Sequence, residues 1–444
     1  MAATCLSGGC ADRRTPLRVS ADNGRYVTDG CGPIYLAGSQ TWRLIVDDPS
    51  HPGSTRRAED FADWLASWGH NYTRTWSGWS YLSVGLLPWN RTGPGMAADG
   101  RPKVDLASYN EEYFRRLRFQ VQALADRGIY TSVMLFGSFN AMRNSDTYAA
   151  NVAWHPDNNI NGLGLSPTDG TSFFDLENPA LLAVQEAHVR RMIDALNDLD
   201  TIVWEVMNEP RLPESLAWQE HMAGVVRRYE AAKPKQHLVV LSGGYDEAGT
   251  LLEGSNADII SPTQHPNNYF EGGPADFDAK VVLADTDHLW GYSQPSGADD
   301  YRRFVWKAFL RGKNVLFMDN YDNTAGSGAG VIDPVYDPVR RALGDTVAFA
   351  RRLDLKRTVP VPEAASTGYC LADAGRAYLV YQPAAGDITL HELPPGDYAC
   401  QWFDPRLSTI VSCQTIRHAG GSRTFSPPID GDAVLYLTAT PPRR

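Results

Sequence analysis

The sequence contains no run of 18 apolar residues, so nothing in it reads as a membrane-spanning helix. Positive charge is also in deficit, with 41 Lys and Arg against 52 Asp and Glu, a formal net charge of −11. A nucleic-acid binder needs a basic face to neutralise phosphates, and none is visible. An acidic polymer is a poor match for the same reason, unless a local basic cleft receives it. Cysteine is scarce, with 6 in 444 residues. No Cys-x-x-Cys pair and no His-Glu-x-x-His occurs, so a zinc site has no support, and no metal or other cofactor is expected. Cys400 and Cys413 flank a predicted strand pair and could form a disulfide, which would leave Cys370 over. Cysteine arithmetic therefore leaves the compartment open. The first residues, MAATCLSGGCADRRTPLR, lack the basic start and apolar run of a signal peptide. That fits a cytoplasmic chain, or a secreted or periplasmic one whose signal has been removed.

What is present is size, ordinary globular composition and aromatic residues. A chain of 444 residues exceeds one ordinary core and suggests a large domain plus a small one. Hydrophobic residues at 43% and charged residues at 21% exclude wholesale disorder. The 12 Trp and 20 Tyr often stand beside Gly, Asn or Pro rather than inside apolar runs. Flat rings on loops suit stacking against the C–H face of a sugar; the plainer reading is that a large enzyme carries many core aromatics.

From about residue 18 to 355, short apolar strands alternate with longer amphipathic stretches, the pattern of a parallel sheet with crossover helices. It opens with a predicted hairpin, RYVTDGCGPIYLAG, turned at Asp29-Gly30, whose second arm (Ile34 to Ala37) is expected to become the first barrel strand. HNYTRTW, IYTSVMLFG, TIVWEVMNEP, HLVVLSGG, ADIISPTQHP, KVVLADTDHLWG and NVLFMDNYD supply seven more. Amphipathic helices such as NEEYFRRLRFQVQALADRG, closed by Gly128, lie between them. Eight strands are what a closed barrel requires, so the expected fold is α/β, a (β/α)8 TIM barrel. Beyond about residue 357, turn clusters separate short alternating strands (RAYLVYQ, DITLHEL, YACQWFDP, AVLYLTA), which predicts a small all-β sandwich with a structural or accessory role. The expected division is an N-terminal tail over 1–17, the barrel over 18–355 and the β-sandwich domain over 356–444.

In such a barrel the side chains at the C-terminal ends of the strands line the active site. Here those ends carry Trp42, Arg74, Trp76, Phe136, Asn208 and Glu209 in the first half of the barrel. The second half contributes His265, Asp285, Asp287, His288, Trp290, Asp319 and Asn320. The set is rich in carboxylates, aromatics and histidine; it has no lysine poised for a Schiff base and no glycine-rich phosphate cradle. Glycoside hydrolysis needs two carboxyl groups flanking the bond, one to protonate the leaving oxygen and one to attack or to activate water. Glu205 shares a strand face with Glu209 and reads as an internal hydrogen-bonding residue. Asp285 and Asp287, two apart on one strand, also share a face.

Trp204-Glu-Val-Met-Asn-Glu-Pro210, at the end of the fourth strand, resembles the Asn-Glu-Pro signature of clan-A glycoside hydrolases, the barrel group that includes cellulases and β-mannanases. The resemblance implies Glu209 as acid/base and Asn208 as the ligand of the sugar's 2-hydroxyl. GRYVTDGCGPIYLAGSQTW is similar to the opening of apiosidase-like barrel enzymes. The tail (GRAYLVYQPAAGDITLHEL and CQWFDPRLST) is similar to the small domain, named for collagen binding, that often follows those barrels; the name is no evidence of such binding. Clan-A enzymes place a Glu nucleophile at the end of strand seven, where this chain has none. Asp287, nearer the loop and beside His288 and Trp290, is narrowly preferred to Asp285 as the second carboxylate. Arg74 matches the clan's arginine that holds the nucleophile ionised, since a nearby cation favours the carboxylate form. His265, His288 and Asp319 are candidate substrate ligands, with Asp319 also an alternative second carboxylate. Trp42, Trp76, Trp79 and Trp290 are candidate stacking platforms, about half of them expected in the core.

The expected function is hydrolysis of an O-glycosidic bond in a polysaccharide or oligosaccharide, with retention of configuration implied by the resemblance. Two rivals stand beside it. One is a barrel that has lost catalysis and only binds glycans, suggested by the missing strand-seven Glu. The other is an inverting hydrolase or a lyase acting on uronate-bearing sugars. A carbohydrate is the one partner expected; oligomeric state is left open.

Overall fold

In the computed structural model the described residues are 15–41, 58–78, 80–83, 85–137, 150–165, 170–208, 210, 212–243, 249–262, 280–285, 297–319, 321, 332 and 334–440. The chain opens with a small antiparallel sheet of β1 (Arg18–Val19), β2 (Val27–Thr28) and β3 (Pro33–Ile34). Ile34 pairs with Val27 inside this hairpin, so it is not part of the barrel as its apolar run suggested. The first barrel strand is instead β4 (Ala37–Gln40).

The repeats then follow the sequence pattern closely. Helix α1 (Ala58–Ser67) leads to β5 (Tyr72–Thr75). Next comes a hairpin insertion, β6 (Trp89–Met96) and β7 (Pro102–Tyr109). Helix α2 (Glu111–Asp126) precedes β8 (Tyr130–Phe136), and α3 (Pro179–Leu196) precedes β9 (Ile202–Met207). Helix α4 (Leu216–Glu230) precedes β10 (Val239–Ser242), and the short α5 (Gly249–Glu253) precedes β11 (Ile259–Ser261). Strand β12 (Val281–Asp285), α6 (Ala298–Leu310), β13 (Asn314–Met318) and α7 (Asp337–Ala350) complete the barrel. Local chemistry sets the helix starts. The Asn110 side chain accepts from the Glu112 amide, and Asn178 accepts from Leu181 with Pro179 opening the first turn.

The eight strands hydrogen-bond in the order β4-β13-β12-β11-β10-β9-β8-β5, all parallel. At the seam between β4 and β5, the Asn71 amide donates to Ala37 O at 3.1 Å and Thr73 Oγ1 to Ser39 O at 2.8 Å. Gly38 is what lets this seam close, because a Cβ there would lie 1.9 Å from the Tyr72 carbonyl oxygen.

The β6–β7 hairpin fills the long connection between β5 and α2. Val104 bridges to Asn159 from the stretch that follows β8. Beneath the hairpin, Trp89, Trp154, Phe136, Phe173, Trp218 and His188 form one buried aromatic cluster. These rings are core, not sugar platforms. Burial pushes the His188 imidazole down to about 4, so at neutral pH it is uncharged; its Nε2 faces the Leu135 carbonyl at 3.0 Å and acts as the donor.

From Val359 the chain is antiparallel. Strands β14 (Val359–Pro360), β15 (Cys370–Asp373), β16 (Ala377–Gln382), β17 (Ile388–Leu393), β18 (Gly396–Asp404), β19 (Thr409–His418), β20 (Gly421–Phe425) and β21 (Ala433–Ala439) form two sheets. The larger has the order β14-β15-β16-β21-β18-β19, and β17 pairs with β20. Alternation gives the large sheet two apolar faces. Cys370, Tyr378, Val380, Trp402 and Leu435 pack against Ile388, Leu390 and Phe425 of the small sheet. Leu371, Leu379, Tyr381, Phe403 and Tyr436 face the barrel helices, against Trp306 of α6 and Phe349 of α7. A buried ion pair pins this junction, with Arg302 of α6 donating to both oxygens of Asp432 at 3.0 and 3.2 Å and Tyr381 Oη donating at 2.9 Å.

Cys400 and Cys413 are not joined. Gln401 stands opposite Cys413, and Cys400 opposite Gln414, so the two thiols project from opposite faces of the sheet; Cys370 is free as well. Among the described residues no helix is long and apolar enough to cross a membrane.

Candidate active site

Strand alternation builds the site in layers. Leu36, Tyr72, Tyr130, Val203, Val240, Ile259, Leu283 and Leu316 form an apolar plug, one cluster drawn from seven barrel strands and from Leu36, which directly precedes β4. Two residues further along, on the same strand faces, stand Arg74, Ser132, Glu205, Ser261 and Asp285, all buried. The plug fills the lower interior, and the polar layer lies above it, toward the C-terminal strand ends where barrel chemistry is done.

Arg74 organises that layer. Its Nε donates to Glu205 Oε2 at 2.8 Å, and its Nη1 meets Asp285 Oδ2. Ser132 Oγ donates to the same Glu205 oxygen at 2.7 Å. All three charged side chains have zero solvent exposure. Two carboxylates thus share one guanidinium. Burial first, then the neighbouring Glu205 carboxylate, push the Tyr72 phenol above its ordinary range, and the Tyr72 ring stays neutral. The Arg74 guanidinium lies 5.8 Å from the Trp76 ring centroid.

Trp76 is 5% exposed, packs on Met134 and Met318, and donates from Nε1 to Gln40 Oε1. That is core packing at the rim of the polar layer rather than an open stacking surface. Asp319 is buried and clasped from both sides. Arg340 of α7 donates Nη2 to Oδ1 at 2.6 Å and Nε to Oδ2 at 2.9 Å, and Ser39 Oγ donates to Oδ2 at 3.1 Å. His70 completes this corner, its Nε2 donating to Arg340 O at 2.9 Å and its Nδ1 accepting from the Ser39 amide at 3.3 Å. Asn208 is buried at the end of β9. Glu209, Asp287, Trp42, His265, His288 and Trp290 lie outside the described residues, as does Trp79.

The structure therefore brings together Arg74, Asp285 and Glu205, sets Asp319 against Arg340, and turns Trp76 inward. Ser132, Gln40 and Arg340 were not singled out from the sequence. Ser132 could have been found, since it follows Tyr130 on the inward face just as Glu205 follows Val203. Among the described residues, no three His, Cys, Asp or Glu side chains gather so as to hold a metal ion.

Known proteins share this fold at low sequence identity. A crystal structure of a glycoside hydrolase family 5 protein from Bacteroides vulgatus superimposes with a TM-score of 0.65 and 12% identity, covering 96% of this chain and 94% of its own. The fold is that of the family 5 glycoside hydrolases. A family 5 mannosidase from Rhizomucor miehei matches with a TM-score of 0.51 and 14% identity, covering 77% of this chain and 99% of that one. In sequence, the chain is 26% identical over 289 residues to mannan endo-1,4-beta-mannosidase 1 of Oryza sativa subsp. japonica. That match covers 57% of this chain and 60% of the rice protein. Residues 70–261, which run from the approach to β5 through β11, match a family described only as a domain of unknown function, DUF6298.

Proposed function

We propose that the protein hydrolyses O-glycosidic bonds, with Glu209 as acid/base, Asp285 as the second carboxylate and a β-1,4-mannan as the first substrate to test. The observation that carries the reading is Arg74, a buried cation at the C-terminal end of β5 held against a carboxylate at the end of β12. An attacking carboxylate must be ionised, and a guanidinium in contact with it favours that form. The contact supports Asp285 over Asp287, reversing the narrow preference that came from position alone. The mannan suggestion rests on the name of the rice relative.

In this mechanism Glu209 gives its proton to the glycosidic oxygen as the C1–O bond breaks, and an Asp285 oxygen forms the new bond to C1. The leaving sugar departs with that proton. Glu209, now ionised, takes a proton from water, whose oxygen attacks C1 and displaces Asp285. Two displacements retain the anomeric configuration. Asn208, beside Glu209, would hold the 2-hydroxyl of the sugar that is attacked.

The test is a screen of mannan, mannooligosaccharides, other plant polysaccharides and aryl glycosides, with proton NMR of fresh product. Product that first appears with the substrate's anomeric configuration supports the double displacement; the opposite anomer would show that water attacks directly. Asp285→Ala and Asp287→Ala are then assayed with azide. Azide bonds to C1 in place of the missing carboxylate, so the variant that yields a glycosyl azide of inverted configuration identifies the nucleophile. If Asp287→Ala does so and Asp285→Ala does not, the assignment to Asp285 is wrong.

A further inference from the structure

Glu205 is fully buried in the polar layer and has no part in the mechanism above, yet it is firmly engaged there. It takes Arg74 Nε at 2.8 Å and Ser132 Oγ at 2.7 Å on a single oxygen, Oε2. Its other oxygen, Oε1, is buried with no hydrogen-bond partner among the described residues. A structural ion pair would be expected to balance its charge and satisfy both oxygens, because breaking either rule in a barrel interior is costly. Among the described residues Glu205 breaks the second, leaving Oε1 unsatisfied.

We propose that Glu205 is a positioning residue for the reaction, fixing Arg74 so that Nη1 faces Asp285 and offsetting part of its positive charge so that Asp285 keeps its nucleophilicity. This rests on the glycosidase reading above. The geometric half follows from the guanidinium fork. With Nε committed to β9, the plane of the group is set, and Nη1 has one direction left, toward β12. The electrostatic half follows from distance. Without a second anion, Arg74 would hold the Asp285 carboxylate more tightly in its resting state, and that extra stabilisation would have to be given up on attack. Among the described residues the groups that bear on the pair are Arg74 and the neutral Tyr72 phenol from β5 and the Ser132 hydroxyl from β8. Glu209 and Asp287 continue the β9 and β12 rows in sequence.

Two variants separate the halves. Glu205→Gln keeps an acceptor for Arg74 Nε but removes the charge. The acid limb of the kcat/KM profile should then move down by about one pH unit, with kcat reduced about tenfold and KM unchanged. Glu205→Ala removes the anchor as well, and kcat should fall about 100-fold, the scale of an ångström-sized misplacement. Glu205→Gln should recover most of the difference. If both variants lose turnover only in proportion to their folded fraction, with the limb unmoved, Glu205 is structural and the proposal fails. Carbon-13 NMR of labelled carboxyls gives a reading that needs no turnover: the Asp285 titration midpoint should fall in Glu205→Gln. If wild type and Glu209→Gln hydrolyse nothing equally, the glycosidase reading has failed. An Asp285 midpoint unmoved by Glu205→Gln would instead overturn the charge-offsetting role itself.

Discussion

Of the three arginines buried in ion clusters among the described residues, Arg302 and Arg74 are held in different ways. Arg302 sits between the barrel and the antiparallel sheet, donates to both oxygens of Asp432, and has Tyr381 completing the acceptor's shell. Its other acidic neighbour, Asp299, is largely exposed. Inside the protein that cluster is one cation and one anion, planar and satisfied. Arg74 divides its guanidinium between carboxylates on two different strands, Glu205 and Asp285. The first arrangement fastens two parts of the molecule. The second sets two buried acids on one cation toward the C-terminal strand ends, and closely coupled buried charges are a mark of sites where protonation matters.

The comparison can be broken most forcefully by removing charges. Arg74→Met removes the guanidinium that two buried carboxylates share, and should lower stability by ~3–5 kcal/mol and remove turnover. Asp432→Ala leaves Arg302 with only the largely exposed Asp299 and should have a similar cost in urea unfolding. Turnover per folded molecule should survive it. If Asp432→Ala stops catalysis while melting normally, the division into fastening and working clusters is wrong.

Glu209→Gln is next in size. It should cut mannan turnover by about 10²–10⁴-fold, the usual contribution of a positioned acid, without shifting the melting temperature. Unchanged turnover would favour a barrel that only binds glycans. Tyr381→Phe, which deletes one hydrogen bond to the Asp432 carboxylate, should cost ~1.5–3 kcal/mol in denaturant melts and leave KM alone.

The smallest expected effect is in pH. Burial holds the imidazoles of both His70 and His188 down at about 4, against 6.5 in the unfolded chain. The unfolded state therefore binds more protons between those values. Their contribution is complete above pH 6.5 and fades as pH falls toward 4. Burial acts oppositely on Asp345, raising its carboxyl from 3.8 to about 6, so its protonated folded form loses advantage as pH rises through that window. Replacing His188 with Gln should flatten the acid side of a stability-versus-pH curve by ~1–3 kcal/mol at pH 4.5. An unaltered slope would mean that His188 titrates normally.

The barrel was legible because its signals are local and periodic. Inward rows such as Val203–Glu205 and Val281–Leu283–Asp285 can be read from alternation, and so could the internal role of Glu205. What could not be read was choice among equals. Arg74 could be placed on a strand end, but which aspartate it touches depends on the stagger between β5 and β12, and stagger leaves no trace in either strand's own residues. Arg340 looks like any charged residue near a helix start until its burial against Asp319 is known. The strand pair around Cys400 and Cys413 could be read, but the full extent of β19 could not, because it is mostly exposed and lacks the alternation that marks a half-buried strand.

The two-faced antiparallel sheet bears on how the molecule can be handled and how it could have changed over time. One of its faces is the inner lining of the barrel's own helices, where Tyr381 stacks on Trp306 and Phe403 meets Phe349 edge to face. A chain cut near residue 356 would present those aromatics to water, a patch of the kind that drives aggregation. The catalytic barrel is thus not a portable module. Swapping or trimming the tail amounts to redesigning the barrel's outer wall, and fusion or truncation variants of this protein should be planned with the sheet left in place.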